Sequence, residues 1–502
     1  MEIVGGLATV LSSPALIGWI ALAAITGMVV GAIPGLTASA AIAMLLPLTF
    51  HMEPLAALAF LYVIGKSGRY GGSIAAILFN TPGTAASAAT QLDGHPLARK
   101  GMAGKAMKVA TISSVIGDYT GDVLLIAFVG TIAWIALRLG PPELFGIYVA
   151  AFVVIGSVIG ESPAKGLASA ALGVLLATVG FDPITGTPRL TFGLYDLTGG
   201  FNLVPLMIGV FVLGEVLVQV VRPADPPRMV ASDRARDTLT FAEYRPCLPH
   251  VARSSLIGAF IGMLPGLGSA IAAFVAYGEG KRRAANAGEW GKGALEGVAA
   301  PEAANNAVSG PSMAPLLTLG IPGSTIGAIL VGVFLIHGIQ IGPTLFLTNR
   351  DLVYSLFAAG LVGIAMYGVI GYFGAAAVGR IIARVPARGL YPVVFLIGIV
   401  AAYSARGNLF DVWVAIAAGA FGWAMRRWGL NPAAFVIAFV LTGGAEQALR
   451  QSLLLSDDGW LIFVQRPVAA GFLLLGAAVL VLRARTTARR RATVPAAGRG
   501  AA

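Results

Sequence analysis

Apolar residues run through this chain in long blocks, not in the short alternating or one-faced patterns of a water-soluble fold. Blocks approaching the ~20 residues that cross a bilayer recur from end to end, around 142–160, 352–377 and 468–482 among others. Charge gathers in three intervals, 222–253, 281–292 and a tail from Arg483 onward, which read as loops or tails. No large soluble domain fits between the blocks. The pattern therefore predicts an all-α polytopic membrane protein with roughly ten to twelve transmembrane spans. The first 50 residues lack a basic leader followed by a small-residue cleavage site, so the first apolar block reads as a retained span.

The blocks repeat. GAIPGLTASA at 31–40 returns as GMLPGLGSA at 262–270, and FNTPGT at 79–84 returns as LGIPGS at 319–324. Pro34 and Pro82 are 48 residues apart, Pro265 and Pro322 57 apart, and the polar insert 278–293 accounts for the excess. Weaker echoes pair 146–158 with 389–400, GFDP at 180–183 with GLNP at 429–432, and Glu215 with Glu446. These place a first transmembrane repeat at 1–221, a cytoplasmic linker at 222–251 and a second repeat at 252–450. An extra carboxy-terminal helix follows at 451–484, then a basic tail at 485–502 that is expected to be disordered.

Basic residues orient the halves. With the Arg-rich carboxyl tail in the cytoplasm, walking the spans backward also puts Arg426-Arg427, the cluster Arg380, Arg384 and Arg388, the linker, Lys165 and the 99–108 cluster inside. Equivalent helices then start on opposite faces, which is the inverted-repeat plan of many secondary transporters with broken or re-entrant helices. Lys281-Arg282-Arg283 resists, since it falls outside if 254–278 crosses fully. Either that segment is a re-entrant hairpin or the count is off by one span.

Composition narrows the function. Hydrophobic residues make up 57% of the 502, charged residues 11%, and the mean hydropathy is +0.84, so lipid is the natural solvent. The net charge of +11 sits in short connections and the tail, as in membrane proteins generally, and does not point to nucleic acid. One cysteine, Cys247, and four scattered histidines leave no disulfide framework, no zinc spacing and no cofactor. No Ser or Cys nucleophile has a spaced His base, which argues against an enzyme.

Chemistry is carried by the four Pro-Gly interruptions. Amides and carbonyls freed inside a membrane must be satisfied by protein or face a cavity. At Asn80-Thr81-Pro82-Gly83-Thr84, Thr81 suits a cap and Pro82 a first helical position; Ile321-Pro322-Gly323-Ser324 makes a similar break. Exposed amides at helix starts favour a carboxylate. The substrate-binding candidates are Pro34, Gly35, Thr37, Tyr70, Ser73, Asn80, Thr81, Pro82, Gly83 and Thr84 in the first half. Those of the second are Pro265, Gly266, Gly268, Ser269, Asn305, Asn306, Pro322, Gly323 and Ser324. Ser309 and Ser312 are further polar positions, although any such hydroxyl can simply bond a carbonyl one turn back.

Asn305, Asn306, Glu302 and Asp118 are candidates for a coupling ion, sodium or proton; the two asparagines can equally cap the next helix. Asp122 and Glu215 are weaker candidates, for each can lie at a hydrated span end. Lys66 and Arg69 suit direct contact with an anion, or else reach for the interface as anchors.

The motifs PGL at 34–36, YGGSIAAILFNTPG at 70–83, LDGHPLARKG at 92–101 and GFDPITGTPRLTFG at 180–193 resemble those of the TctA family, the large membrane subunits of tripartite tricarboxylate transporters. So do PGLG at 265–268, GKGALEGVAAPEAANNA at 291–307, LLTLGIPGS at 316–324 and HGIQIGP at 337–343. The resemblance implies a multi-pass carrier of the bacterial inner membrane that works with a small four-helix membrane subunit and a periplasmic solute-binding protein. It also implies small carboxylates such as citrate as substrates and a sodium or proton gradient as driving force. Lys66 and Arg69 depart from the small or apolar residues that the family usually has before its Tyr-Gly-Gly. A stand-alone anion channel or carrier is the alternative class, and a membrane-embedded enzyme the least supported.

Overall fold

A computed structural model describes residues 2–158, 162–182, 184–221, 230, 236–384 and 387–493. Residues 222–229 and 231–235 of the expected linker and 494–502 of the expected tail lie outside the described residues. The fold is helical, as the apolar blocks predict. Its strands among the described residues are one two-residue pair, Gly180–Phe181 with Pro188–Arg189.

The first half runs α1 (Glu2–Leu11), α2 (Pro14–Gly31), α3 (Ala38–Leu45), α4 (Pro54–Phe79), α5 (Ser87–Arg99), α6 (Ala103–Ala136), α7 (Pro141–Val158) and α8 (Pro163–Ala177). α9 (Leu203–Met207) and α10 (Gly214–Val221) follow, joined through a π segment into one rod. After α11 (Phe241–Tyr244) come α12 (Leu248–Gly262), α13 (Gly268–Arg283), α14 (Leu295–Ala307), α15 (Met313–Leu319), α16 (Thr325–Ile336) and α17 (Leu345–Thr348). The chain ends with α18 (Arg350–Arg384), α19 (Ala387–Ser404), α20 (Leu409–Trp428), α21 (Pro432–Leu454), α22 (Ile462–Gln465) and α23 (Pro467–Thr493). α23 continues past Ala484, so 485–493, expected in a disordered tail, is helical. Seven helices among the described residues are long and apolar enough to cross a membrane. Several helix starts are written locally: Pro14, Pro54, Pro163 and Pro432 stand at first helical positions of α2, α4, α8 and α21, and Ser13 and Asn431 cap α2 and α21.

The chain divides into two compact units, residues 1–137 with 202–424, and 138–201 with 425–502. In the smaller unit α8 and α21 run parallel. Their starts meet where Lys165 Nζ donates to the Trp428 carbonyl at 2.6 Å and the Asn431 N–H donates to Ser169, and the turn after α8 meets α21 near its far end. There Arg189 donates to Glu446 at 2.6 Å, and Arg450 joins Asp182 at 2.5 Å to Glu446 at 2.7 Å. The Thr185 and Ile184 N–H groups, with the Arg450 guanidinium, hold Asp182 below the usual carboxylate range.

In the larger unit the glycines set the helix pairing. A β-carbon on Gly27 or Gly31 of α2 would collide with the backbone of Ile64 or Gly68 of α4; one on Gly258 or Gly262 of α12 would collide with Ala304 of α14 or with Val308, which ends it. Both pairs are therefore parallel, and both use two glycines four residues apart, the small-residue spacing that lets membrane helices touch. Between parallel partners the chain must return. In the first half it does so through α3 and the 3₁₀ segment Leu46–His51, and in the second through α13. Arg253 and Glu279 stand 3.8 Å apart, and His250 lies beside Trp290, so α12 and α13 form a hairpin with both outer ends together. Of the two readings open for 254–278, the hairpin is the observed one, and Lys281-Arg282-Arg283 shares its end with Arg245 and Arg253.

α6 runs parallel to α14, with Gly117 and Gly121 on Ala303 and Ala307, while α18 runs parallel to α4, with Gly363 and Gly371 on Val63 and Tyr70. α6 and α18 are antiparallel, since Tyr119 meets Leu361, Val115 meets Gly368 and Thr111 meets Gly371. It follows that α4 and α14 run in opposite directions. The linker grips the start of α6: Asp237 accepts from the Gly104 N–H at 2.8 Å, and Glu243 pairs with Lys105 at 2.5 Å. That ammonium, then the Thr240 N–H, bring the Glu243 carboxyl down to about 2.

Methyl groups at the touching glycines should be costly. Gly27→Ala and Gly258→Ala are each expected to destabilise the protein by about 1–3 kcal/mol through overpacking. Gly18→Ala, also on α2 but with nothing within 4 Å of the added carbon, is expected to be neutral. Thermal unfolding in detergent compares the three; equal melting temperatures would show that these crossings do not carry the packing.

Candidate functional site

Each Pro-Gly interruption has its own local chemistry. After α2, Gly35 takes φ +84°, the Pro34 carbonyl accepts from Tyr391 at 3.2 Å, and Thr37 caps α3 by accepting from the Ala40 N–H. After α4, Asn80 itself adopts the left-handed conformation, φ 57°, and both its carbonyl and side-chain oxygens accept from Gln91 Nε2, at 2.8 and 2.7 Å. Thr81 donates back to Phe79, Pro82 and Gly83 lie in the turn, and Thr84 with Ser87 closes the first turn of α5. Thr81 is therefore not the cap, nor Pro82 a first helical residue. The left-handed Asn80 makes the break an ending of α4 before it is a beginning of α5.

In the second half, Gly266 and Gly268 have φ +83° and +68°, and Ser269 sits in the first turn of α13. Gly320 ends α15 in the left-handed region, and Ser324 caps α16 through the Gly327 N–H at 3.1 Å. The two breaks of this half touch, the Gly266 N–H donating to the Gly323 carbonyl at 3.3 Å, beside Pro265 and Pro322. In the first half Gly83 is pressed against Gly31, just before Pro34, and its N–H donates to Gly72 at 3.2 Å.

Across the halves the helices leaving the breaks pair crosswise. Ile42 of α3 and Ile326 of α16 both fill the space above Gly65, while Ala86 and Ala89 at the start of α5 share a cluster with Ala273 of α13. The helix after the first break of one half thus packs with the helix after the second break of the other.

Beside this crossing lie two buried polar centres. In one, Glu302 of α14 accepts hydrogen bonds from Ser73 of α4, Thr90 of α5 and, at 2.8 Å, Ser114 of α6. Asn306 donates to Ser114 at 2.9 Å and to the Glu302 carbonyl at 3.0 Å, leaving its own side-chain oxygen without a partner. Asn305 is 1% exposed, and neither atom of its amide has a partner. Both asparagines belong to the last turn of α14 and neither caps a helix.

In the other centre, Lys66 Nζ lies 2.6 Å from Asp118 and 2.8 Å from Asp122, over the Tyr62 ring. Tyr367 donates to Asp118 at 3.2 Å. Lys66 is wholly buried, so it neither reaches for the interface nor stands free for an anion. Asp122 is not at a span end but midway along α6. Tyr70 turns away from the breaks, accepting from Thr111 at 2.7 Å and stacking on Tyr367. Glu215 accepts a hydrogen bond from Gln219 one turn along its own helix, at 3.0 Å.

Thr90, Ser114, Tyr62 and Tyr367 were not singled out from sequence. One signal was available: Ser114, Asp118 and Asp122 recur every four residues in an apolar helix and so share one face. Asp93 was likewise hidden inside its motif. It accepts from the Gly291, Gly293 and Ala294 N–H groups at 2.8–2.9 Å and from Tyr277 at 2.8 Å, tying the 284–294 loop to α5.

A family model described as the tripartite tricarboxylate transporter TctA family matches residues 17–437, a range that contains all four breaks and both polar centres. The chain belongs to the TctA family. A 52.8 kDa protein from the TAR-I ttuC' 3' region of Agrobacterium vitis is 35% identical over 473 residues, covering 94% of this chain and 93% of that protein. A second protein of the same organism, from the TAR-II ttuC' 3' region, is 35% identical over 227 residues, 45% of this chain and 93% of its own length. Membership in the TctA family makes this chain a membrane component of a tricarboxylate transporter, which agrees with its spans and does not call for catalysis.

In a TctA protein so built, the lysine centre is a structural lock with a measurable cost. Lys66→Met is expected to destabilise the protein by about 3–5 kcal/mol, because two carboxylates then stay buried without their cation. Replacing all three groups, with Asp118→Asn and Asp122→Asn added, should recover most of the loss. Thermal unfolding in detergent decides, and a triple variant no more stable than the single one would contradict the lock.

Proposed function

We propose that the protein is the substrate-translocating subunit of a binding-protein-dependent secondary transporter that imports small di- and tricarboxylates, such as citrate, by symport with sodium or protons. It works in the bacterial inner membrane, carboxyl terminus in the cytoplasm, with a small four-helix membrane subunit and a periplasmic solute-binding protein. The tripartite character of the family supports the two partners. The orientation is supported by the gathering of basic residues at the shared ends of the α12–α13 hairpin.

The observation that carries the reading is the crosswise pairing of the four helices behind the breaks, beside Glu302. Helix starts brought together in a membrane interior present unspent amides, and Thr37 and Ser324 hold two of these starts in shape. A substrate carboxylate is the natural partner. Glu302 supplies the opposite element, a carboxylate held by hydroxyls, with no side-chain cation paired with it among the described residues, next to the free amide oxygens of Asn305 and Asn306. Such a group takes a proton or a sodium ion and so links the gradient to the substrate. The opposite directions of α4 and α14, each gripped by the same glycine spacing, support two inverted repeats moving about this centre.

Membrane vesicles containing all three components should accumulate labelled citrate under an imposed ion gradient. Glu302→Gln is expected to abolish gradient-driven accumulation while exchange of citrate across the membrane continues, since only the coupling group is lost. Asn306→Leu should weaken both. Accumulation unchanged in Glu302→Gln would remove that residue from coupling, and ion-independent conductance of citrate would favour a channel.

A further inference from the structure

Arg69 is the unresolved charge of this interior. It is 7% exposed, Nη1 is fully enclosed without a hydrogen-bond partner, and no carboxylate forms an ion pair with it among the described residues. A guanidinium withdrawn from water and left unpaired is costly, far more so than the satisfied Lys66 three residues earlier. Lipid anchoring does not explain it, for it is not at a helix end but past the middle of α4.

Its helical neighbours show where it lies. On α4 the side chains bordering Arg69 are Gly65, Lys66, Gly72 and Ser73, three and four residues to either side. Gly65 takes Ile42 of α3 and Ile326 of α16 against its bare Cα; Gly72 takes Thr84, which leads into α5. Ser73 donates to Glu302, and Lys66 is spent on Asp118 and Asp122. Arg69 thus lies between the elements leaving three of the breaks and the Lys66 centre, whose Asp118 and Asp122 attract it without forming an ion pair with it.

We propose that Arg69 is a specificity-determining residue of the carboxylate site, its planar fork taking one carboxylate of an acid that carries at least two. This rests on the transport reading above, in which helix-start amides receive another carboxylate of the same molecule. A guanidinium fits because it offers paired donors in the plane of a carboxylate, which an ammonium cannot.

The test pairs transport with stability. Arg69→Gln and Arg69→Lys are compared with wild type for uptake of labelled citrate by vesicles holding all three components, and for thermal unfolding of the full chain in detergent with and without citrate. The binding protein is the same in every arm, so a change belongs to this chain. Arg69→Gln should fold and melt near wild type, because it removes no hydrogen bond and no ion pair. Its uptake at limiting citrate should fall roughly tenfold or more, with Arg69→Lys between the two, as expected for loss of a bidentate contact. Citrate should raise the melting temperature of wild type and not that of Arg69→Gln. The proposal is overturned by wild-type uptake in Arg69→Gln, or by an Arg69→Gln protein that unfolds early or fails to fold, which would mark a structural arginine. Wild-type vesicles that accumulate no citrate would instead overturn the transport reading, and this proposal with it.

Discussion

Backbone left unpaired inside a membrane must find partners within the protein, and the arrangement of the larger unit follows from that constraint. Each helix that stops midway does so against another chain segment. Asn80 is held by Gln91, Gly83 donates to Gly72, and Gly266 donates to Gly323. Such contacts require backbones to approach closely, which only glycine permits, and so the glycine pairs of α2 and α12 are part of the same solution as the breaks. A break without a glycine-lined neighbour would expose polar groups to lipid. A glycine stripe without a break would only join two rods.

The same framework receives different chemistry in its two halves. Tyr62 and Glu302 each stand 20 residues before the proline of their half, Pro82 or Pro322, and Lys66 and Asn306 each stand 16 before it. Gly360 borders Tyr62 and Lys66, as Ser114 borders Glu302 and Asn306. One half therefore fills its centre with a tethered ammonium and two aspartates and is closed. The other holds a carboxylate among hydroxyls, with amide oxygens to spare. The closed centre contributes rigidity between α4 and α6, since an ammonium gripped by two carboxylates resists separation of the helices that carry them. On the transport reading, the open one is where the coupling ion acts.

Much of this was legible in the residues. The repeated Pro-Gly order, the polar insert, the basic clusters and the family motifs are local features, and they placed the breaks and the all-α membrane architecture. The hairpin at 254–278 was half-legible, because the charge count conflicted with a full crossing. What lay beyond reach were pairings between distant segments. Nothing near Lys66 announces that Asp118 and Asp122 will take it, and the hydroxyls around Glu302 come from three different helices. Local rules also misled at Thr81 and Pro82. Capping propensity favours a helix start there, but Asn80 can adopt a left-handed conformation and end α4 first.

Charge accounting connects these features to transport. Lys66 and Arg69 stand against Asp118, Asp122 and Glu302, so with every group ionised these five carry one net negative charge beside the crossing. Adding an anionic substrate raises that excess, and in a medium of low permittivity each further like charge is repelled strongly. A cation or proton on Glu302 removes the excess at the position where it arises. On the transport reading, the substrate then loads only with the ion or proton in place, because the anion is not tolerated without it, and coupling needs no separate device beyond the placement of Glu302 one hydroxyl away from the α4 strip that bears Arg69.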